Sequence, residues 1–192
     1  MAKTIWTIGH SSRPLADFLA LLEGPGIGCV VDVRRHPGSR SFPWFGADSL
    51  SRALDSCGIR YLPFPKLGGR RRPDPASRNT VWRNVSFRAY ADFMETAEFT
   101  AALERLEEIA LEDRTAIMCS EAVWWRCHRA MIADALKARA WLVLHIMDGG
   151  KLVEHPFTSA ASIEGGRLVY GPSRDRAADD RSRQGGSGYG TR

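Results

Sequence analysis

Residues 115–129 read TAIMCSEAVWWRCHR, and this stretch decides the fold prediction. The apolar residues Ala116, Ile117 and Met118 predict a short buried strand, which stops at Cys119 before a helical pattern begins near Cys127. In an open α/β sheet, ligands bind in the crevice beyond the carboxyl ends of the strands. The stretch therefore predicts a central strand with a functional site at its end.

Four further apolar runs predict strands around this one, at residues 3–8, 27–33, 59–64 and 141–147. Amphipathic segments between the runs predict helices, two of them between the third and fourth strands. This alternation predicts an α/β fold with a Rossmann-like, three-layer parallel sheet and right-handed crossovers. Residues 151–171, with Gly165 and Gly166 at a turn, predict a small C-terminal β-hairpin.

The length and the composition limit the organisation of the chain. We predict a single α/β domain over residues 1–171 and a disordered, basic, glycine-rich tail over residues 172–192, because the tail has almost no apolar side chains. The N-terminus lacks a signal-peptide pattern and no apolar run approaches the ~20 residues that span a bilayer, which predicts a cytoplasmic protein without membrane contact. The net charge of +5 favours either a polyanionic partner or a solvated basic face. No feature of the sequence indicates an oligomeric state or a cofactor.

The four cysteines are predicted to be free thiols, since a reducing compartment disfavours disulfides. Cys29 and Cys57 are predicted to be small buried packing residues, whereas Cys119 and Cys127 flank the end of the central strand. No CxxC pair is present, which argues against a structural zinc or thioredoxin-like site, and we assign no metal ligand.

Two other strand ends carry polar residues. His10 and Ser11 lie between the first strand and a helix, where backbone amides favour an anion, although His10 is equally compatible with a purely local role in the turn. Asp32 ends the second strand, and a buried carboxylate must be paired or functional. It is therefore either an ion-pair partner of Arg34 or Arg35, or a base, metal ligand or ribose-binding group.

Two loops combine basic and aromatic residues. Residues 36–40, which include Ser39, form a candidate phosphate-binding loop, and the aromatic cluster of residues 42–45 suits base stacking or a lid over the core. The loop at residues 66–80 is long for a compact connector and carries Arg70, Arg71 and Arg72, which are candidates for nucleic-acid binding.

The chemistry of residues 119–129 is compatible with several reactions. The segment Cys127-His128-Arg129 at a helix start would lower a thiol pKa and attract an anion. Glu121 is a candidate acid or base, or else an ion-pair partner of Arg126 or Arg129. The spacing fits a phosphatase-type loop poorly, and the P-loop and GxGxxG patterns are absent. A metal site assembled from Cys119, Cys127 and His128, with His10 or Asp32, is a further alternative.

Several motifs together resemble the bacterial and archaeal family known as domain of unknown function 488. They are TIGHSSRP (7–14), VDVRRHPGS (31–39), LGGRR (67–71), FRAYADFM (87–94), CSEAVWWRCHR (119–129), LHI (144–146) and EHPFT (154–158). The resemblance implies an intracellular α/β domain, and it implies no reaction. The motif positions that it marks are His10, Asp32, Arg34, Cys119, Glu121, Cys127, His128 and Arg129.

The leading prediction is an enzyme that acts on a nucleotide or nucleic acid, with the phosphate-bearing part between the first, second and fourth strands. The alternatives are a non-catalytic nucleic-acid-binding protein and a cysteine-based redox or metal-binding protein. The predicted catalytic residues are His10, Asp32, Cys119, Glu121, Cys127 and His128. The predicted substrate- and anion-binding residues are Ser11, Arg34, Arg35, Ser39, Trp124, Trp125, Arg126 and Arg129, with the two tryptophans stacking on a base.

Overall fold

The fold is seen in a computed structural model, which describes residues 3–38 and 40–171. The strands are β1 (Thr4–Gly9), β2 (Cys29–Asp32), β3 (Arg60–Pro63), β4 (Thr115–Cys119), β5 (Leu142–Ile146), β6 (Leu152–Glu154), β7 (Ala161–Glu164) and β8 (Arg167–Tyr170). The helices are α1 (Leu15–Glu23), α2 (Ala47–Asp55), α3 (Val85–Met94), α4 (Ala97–Glu112) and α5 (Arg129–Ala138). Among the described helices, none combines the length and apolar character of a membrane span. The predicted tail lies outside the described residues.

The main sheet has six strands in the order β3-β2-β4-β1-β5-β6. The first five strands in this order are parallel, and β6 runs antiparallel to β5. β4 is inserted between β2 and β1, so the carboxyl ends of these three strands adjoin where the winding of the chain reverses. The predicted Rossmann-like α/β fold is confirmed, and so is the adjacency of the first, second and fourth strands.

Alternating side chains of the buried strands form a core on each face of the sheet. Trp6 and Ile8 of β1 pack with residues of α1 and α2, whereas Ile5 packs with residues of α3, α4 and α5. Both faces are therefore covered by helices, which explains why the strands read as continuous apolar runs. The resulting layers leave the ends of the strands as the place where polar side chains can gather.

The C-terminal region differs in part from the predicted hairpin. β7 and β8 form the hairpin, and Gly165 and Gly166 at its turn have φ values of 55° and 79°. Leu152–Glu154 instead joins the main sheet as β6, because Gly149 and Gly150 adopt positive φ and reverse the chain directly after β5.

The four cysteines are free thiols, as predicted. Cys29 is fully buried, which confirms its predicted packing role. The same prediction is wrong for Cys57, which is exposed. The reason is local: α2 ends at Asp55, and Cys57 lies in the turn that leads to Gly58, where φ is 70°.

The long loop before α3 is irregular but anchored. Residues 68–84 contain no helix or strand, although all of them are described. Leu67 at the start of the loop is fully buried and accepts a hydrogen bond of 2.8 Å from the Tyr90 hydroxyl. Asn79 is buried and donates to Asp92 and Glu95, at 2.8 Å in each case. These contacts hold the loop against α3, next to the ends of the strands.

Candidate functional site at the strand ends

A cavity of about 700 Å³ opens at the carboxyl ends of β1, β2 and β4, and we call it the strand-end cavity. Of the residues predicted for the site, those that line it are His10, Ser11, Arg34, Arg35, Arg70, Cys119, Glu121, Arg126, Cys127 and His128. These side chains come from five separate stretches of the chain. The polar strand ends therefore border one common cavity.

Other predicted residues do not line this cavity in the described structure. They are Asp32, Arg71, Arg72, Trp124, Trp125 and Arg129. Ser39 lies outside the described residues. Arg71 packs its guanidinium 3.4 Å from the centre of the Phe93 ring and forms an ion pair with Glu98 at 3.5 Å. The three consecutive arginines therefore do not form one surface.

Asp32 is held by protein partners on all sides. Arg34 donates to its carboxylate from Nε at 2.9 Å and from Nη2 at 2.6 Å, and the Tyr61 hydroxyl donates at 2.6 Å. Asp32 is 1 % exposed. Burial and the Asp32 carboxylate raise the pKa of Tyr61, which keeps its proton on the hydroxyl. Asp32 was predicted to be either an ion-pair partner or a functional group of the site. In the structure it forms the ion pair, with Arg34 as its partner.

Arg34 also fixes the state of His10. Its Nη1 lies 3.2 Å from His10 Nε2, and His10 Nδ1 lies 2.8 Å from the carbonyl oxygen of Ser11. A guanidinium can only donate, so Nε2 accepts and the proton of the imidazole resides on Nδ1. Burial, and then the charge of Arg34, lower the pKa of His10 to about 4. His10 therefore faces the cavity as a neutral imidazole with both nitrogens occupied.

The Glu121 carboxylate is not in the ion pair that the sequence suggested. Arg129 is 1 % exposed, and its Nη2 donates to the backbone carbonyl oxygens of Glu121 at 2.6 Å and Ala122 at 3.4 Å. The Glu121 side chain is exposed and forms no ion pair within the described part of the chain. Its carboxylate is therefore available to a ligand in the cavity.

Two cysteines and a histidine form a compact cluster in the cavity wall. One ligand atom from each of Cys119, Cys127 and His128 lies within 4.8 Å of the others. The Cys127 sulfur is 3.7 Å from His128 Nδ1 and accepts from the amide of Arg129 at 3.5 Å. Burial would raise the pKa of Cys127, but the hydrogen bond from Cys119 and the charge of Arg129 lower it to about 6. The hydrogen bond with Cys127 and burial raise the pKa of Cys119 to about 12.

A buried chain of hydrogen bonds behind the cavity was missed by the sequence analysis. Thr7 Oγ1 lies 2.7 Å from His145 Nδ1, His145 Nε2 lies 2.9 Å from His155 Nδ1, and His155 Nε2 lies 3.0 Å from Asp134. Arg129 Nη1 donates to Thr7 at 3.4 Å. An ionised Asp134 accepts from His155 Nε2, so with both imidazoles neutral His145 donates to His155 and Thr7 donates to His145. The sequence signals were His145 and His155, which lie in the motifs LHI and EHPFT, and the acidic residue Asp134 within the apolar pattern of α5.

This hydrogen-bond chain positions Trp124. The Trp124 ring stacks on His145 with 4.4 Å between ring centroids and an interplanar angle of 7°. Trp125 is exposed and packs edge-on against Trp124. Trp124 therefore anchors the loop between β4 and α5 to β5, on the protein side of the cavity wall.

The cavity also contains residues to which the sequence analysis gave other roles or none. Phe87 and Tyr90 of α3 line the cavity although neither was predicted for the site, and so do Ser12, Gly69, Asn84, Ser86 and Ser120. His36 and Gly38 of the candidate phosphate-binding loop and Phe42 of the aromatic cluster also line it. The apolar spacing of α3 gave no signal for this position, because the same face of the helix packs against the core and borders the cavity.

The comparisons with known proteins identify a family and no individual relative. No curated protein and no solved structure matches the chain significantly. One family model matches residues 14–136, which is more than half of the chain and includes the central strand, Glu121 and the cysteine-histidine cluster. The chain belongs to the family described as domain of unknown function DUF488.

Proposed function

We propose that the chain is an enzyme that acts on a phosphate-bearing substrate, a nucleotide or a nucleic acid, bound in the strand-end cavity. The observation that carries the proposal is the charge of the cavity wall. Arg35, Arg70 and Arg126 line the cavity, and none of them forms an ion pair with a carboxylate of the described residues. Glu121 is the sole carboxylate among the described lining residues. Guanidiniums without protein partners are suited to bind phosphate oxygens.

Size and aromatic lining support a nucleotide rather than a free phosphate ion. A cavity of about 700 Å³ is much larger than one phosphate group and falls within the range of small-molecule sites. Phe42 and Phe87 line it and are half-buried, so each has an accessible part that a nucleobase could contact. A ligand that has both an anionic group and an aromatic ring would use both features of the wall.

The backbone of the cavity wall carries strain that is typical of functional sites. Ser11 and Arg70 both line the cavity and adopt positive φ values of 51° and 56°. Such conformations cost about 1–3 kcal/mol for residues other than glycine and persist where the surrounding structure imposes them. The strain supports a ligand-binding role for these two residues.

Glu121 is the candidate acid or base of the reaction. Its carboxylate is exposed at the cavity, whereas Asp32 is held by Arg34 and Tyr61, and His10 has both nitrogens in hydrogen bonds. We therefore infer that Asp32 takes no part in a chemical step. It positions Arg34 and, through Arg34, His10. The alternative of a nucleic-acid binder that uses Arg70, Arg71 and Arg72 together receives less support, because Arg71 is engaged with Phe93 and Glu98.

The test measures binding and turnover separately. Calorimetric titration with inorganic phosphate, nucleoside 5′-phosphates and a single-stranded oligonucleotide should find at least one phosphate-bearing ligand. Arg126→Ala and Arg35→Ala should each weaken its binding by about tenfold or more, the effect of losing a charged hydrogen bond. Glu121→Gln should retain binding and lower turnover by about 10²–10⁴-fold, with products followed by chromatography and ³¹P spectroscopy.

Arg105→Ala is the matched control, because Arg105 is an exposed arginine on α4 that pairs with Glu108, away from the cavity. It should leave the affinity and the turnover unchanged. The proposal fails if no phosphate-bearing ligand binds, or if Arg105→Ala weakens binding as much as Arg126→Ala. Binding without turnover of any tested ligand would refute the enzymatic part.

A further inference from the structure

We propose that Cys119, Cys127 and His128 bind one thiophilic divalent metal ion of the Zn²⁺ type, with a further coordination position open to the strand-end cavity. The inference goes beyond the proposed function, because metal binding at these residues does not depend on the identity of the substrate. It also does not follow from the spacing of the residues in the sequence, which differs from common zinc modules.

The cluster already has the dimensions of a metal site. One ligand atom of each residue lies within 4.8 Å of the other two, and the Cys127 sulfur is 3.7 Å from His128 Nδ1. In a tetrahedral site with Zn–S distances of ~2.3 Å and Zn–N distances of ~2.0–2.1 Å, ligand atoms are about 3.5–3.8 Å apart. Small side-chain adjustments would therefore suffice for coordination. No other Cys, His, Asp or Glu of the described residues belongs to the cluster.

His128 differs from the buried histidines His10, His145 and His155 in its hydrogen bonding. His10, His145 and His155 each have both ring nitrogens within 3.2 Å of an oxygen or nitrogen partner. His128 has no such oxygen or nitrogen partner in the described structure: Nε2 is buried without a hydrogen bond, and Nδ1 lies 3.7 Å from the Cys127 sulfur. Buried polar atoms are seldom left in this state. An imidazole that is packed in place and lacks protein partners is suited to coordinate an ion.

The surroundings hold the three residues in position. Cys119 ends β4, which lies between two strands of the sheet, and His128 directly precedes α5. The imidazole packs against the backbone of Gly69, where a Cβ would lie 3.0 Å from Nδ1, and against the Tyr90 ring, with 5.1 Å between ring centroids. A preorganised set of ligands reduces the entropic cost of binding an ion.

The charges of the cluster suit a dication despite the basic cavity. Two thiolates would neutralise a divalent ion, so the occupied site would add no net charge beside the arginines. The amide of Arg129 donates to the Cys127 sulfur at 3.5 Å, the kind of N–H···S contact that supports a thiolate ligand. Two sulfurs and one imidazole favour Zn²⁺-like ions over Mg²⁺ or Ca²⁺.

The remaining coordination position faces the cavity. His10 and Asp32 are the two residues that the sequence suggested as additional ligands, and both are fully engaged by Arg34 and its neighbours. Cys119, Cys127 and His128 all line the cavity, so an ion held by them would be accessible to a ligand there. Three protein ligands with an open position are typical of catalytic rather than structural zinc sites.

The test is metal binding by the full chain in the absence of any substrate. The chain is purified without chelators under reducing conditions, stripped, and reconstituted with Zn²⁺ or Co²⁺ without oxygen. Elemental analysis should find about one Zn²⁺ per chain. The Co²⁺ form should show thiolate-to-metal charge transfer and the intense visible absorption of a tetrahedral ion. Cys119→Ser, Cys127→Ser and His128→Gln should each reduce metal affinity by roughly tenfold or more.

Cys57→Ser is the matched control, since Cys57 is an exposed thiol outside the cluster. It should bind Zn²⁺ and Co²⁺ as the unmodified chain does. The proposal is overturned if the reduced chain retains no ion after reconstitution, or if Cys57→Ser loses metal as Cys127→Ser does. Neither experiment uses a phosphate ligand, so failure of the metal site and failure of the proposed function are distinguishable.

Discussion

Arg129 donates to the backbone carbonyl oxygen of Glu121 at 2.6 Å and leaves the Glu121 carboxylate exposed at the cavity. The guanidinium is buried beneath the loop between β4 and α5 and also contacts Thr7 of β1. Arg129 thus fixes the path of the loop between β4 and α5, while the Glu121 carboxylate on this loop remains available for a ligand.

Arg129→Lys should lower the free energy of unfolding by about 2–4 kcal/mol, because one ammonium cannot reproduce the contacts to Thr7, Glu121 and Ala122 from the same position. Chemical denaturation measures the change. Arg126→Lys, at an exposed position three residues earlier, should alter stability by less than about 0.5 kcal/mol. Equal effects of the two substitutions would contradict the structural role of Arg129.

Gly9→Ala should be strongly destabilising, by about 3 kcal/mol or more, because a Cβ at Gly9 would overlap the carbonyl oxygen of Glu121. The obstacle is backbone and cannot move aside as a flexible side chain would. Gly24→Ala is the control, since its φ is −50° and nothing lies within 4 Å of the added Cβ. It should be neutral or stabilising by up to about 1 kcal/mol. Thermal unfolding of both variants tests the contrast, and a stable Gly9→Ala chain would refute the close approach.

Asp32→Asn should destabilise the fold by about 3–5 kcal/mol, because it leaves the buried Arg34 guanidinium without its counter-charge. Tyr61→Phe removes a single hydrogen bond to the same carboxylate and should cost only about 1–2 kcal/mol. Urea unfolding of the two variants provides the comparison. If Asp32→Asn were the milder substitution, the Asp32–Arg34 pair would not be the dominant interaction.

Acidification should destabilise the chain through His145. Burial is the main cause that lowers the pKa of His145 to about 2 from an ordinary value of 6.5, and the neighbouring His155 and Arg129 lower it further. Below about pH 6.5 the unfolded chain therefore binds one proton more at this residue than the folded chain does, and stability falls as the pH falls. The slope from this residue should approach about 1.4 kcal/mol per pH unit.

The measurement is the unfolding free energy between about pH 7 and pH 5 for the unmodified chain and for His145→Gln. The variant should be less stable at neutral pH, because it loses the contacts to Thr7, Trp124 and His155. The unfolding free energy of this variant should also depend less steeply on pH than that of the unmodified chain. An unchanged slope would mean that His145 is not a source of the acid sensitivity.

Part of the site was predictable because it depends on the ends of recognisable strands. Apolar runs located β1, β2 and β4, and parallel strands bring their carboxyl ends to one edge of the sheet. His10, Glu121 and the Cys127-His128 segment were therefore expected at one site, and all of them line one cavity. The hydrogen-bond chain from Thr7 to Asp134 was not predictable, because its first pair of residues is 138 positions apart in the sequence.

The sequence by itself determined the layered α/β fold and the region in which polar groups gather, because hydrophobic periodicity is a local property that each segment expresses alone. The tertiary structure alone decided the partner of each group. Asp32 is paired with Arg34 and not with Arg35, Arg129 binds the backbone of Glu121 and not its carboxylate, and His128 is left without an oxygen or nitrogen partner in the described structure. These choices depend on the directions and distances of side chains in the folded chain, which the order of residues does not specify.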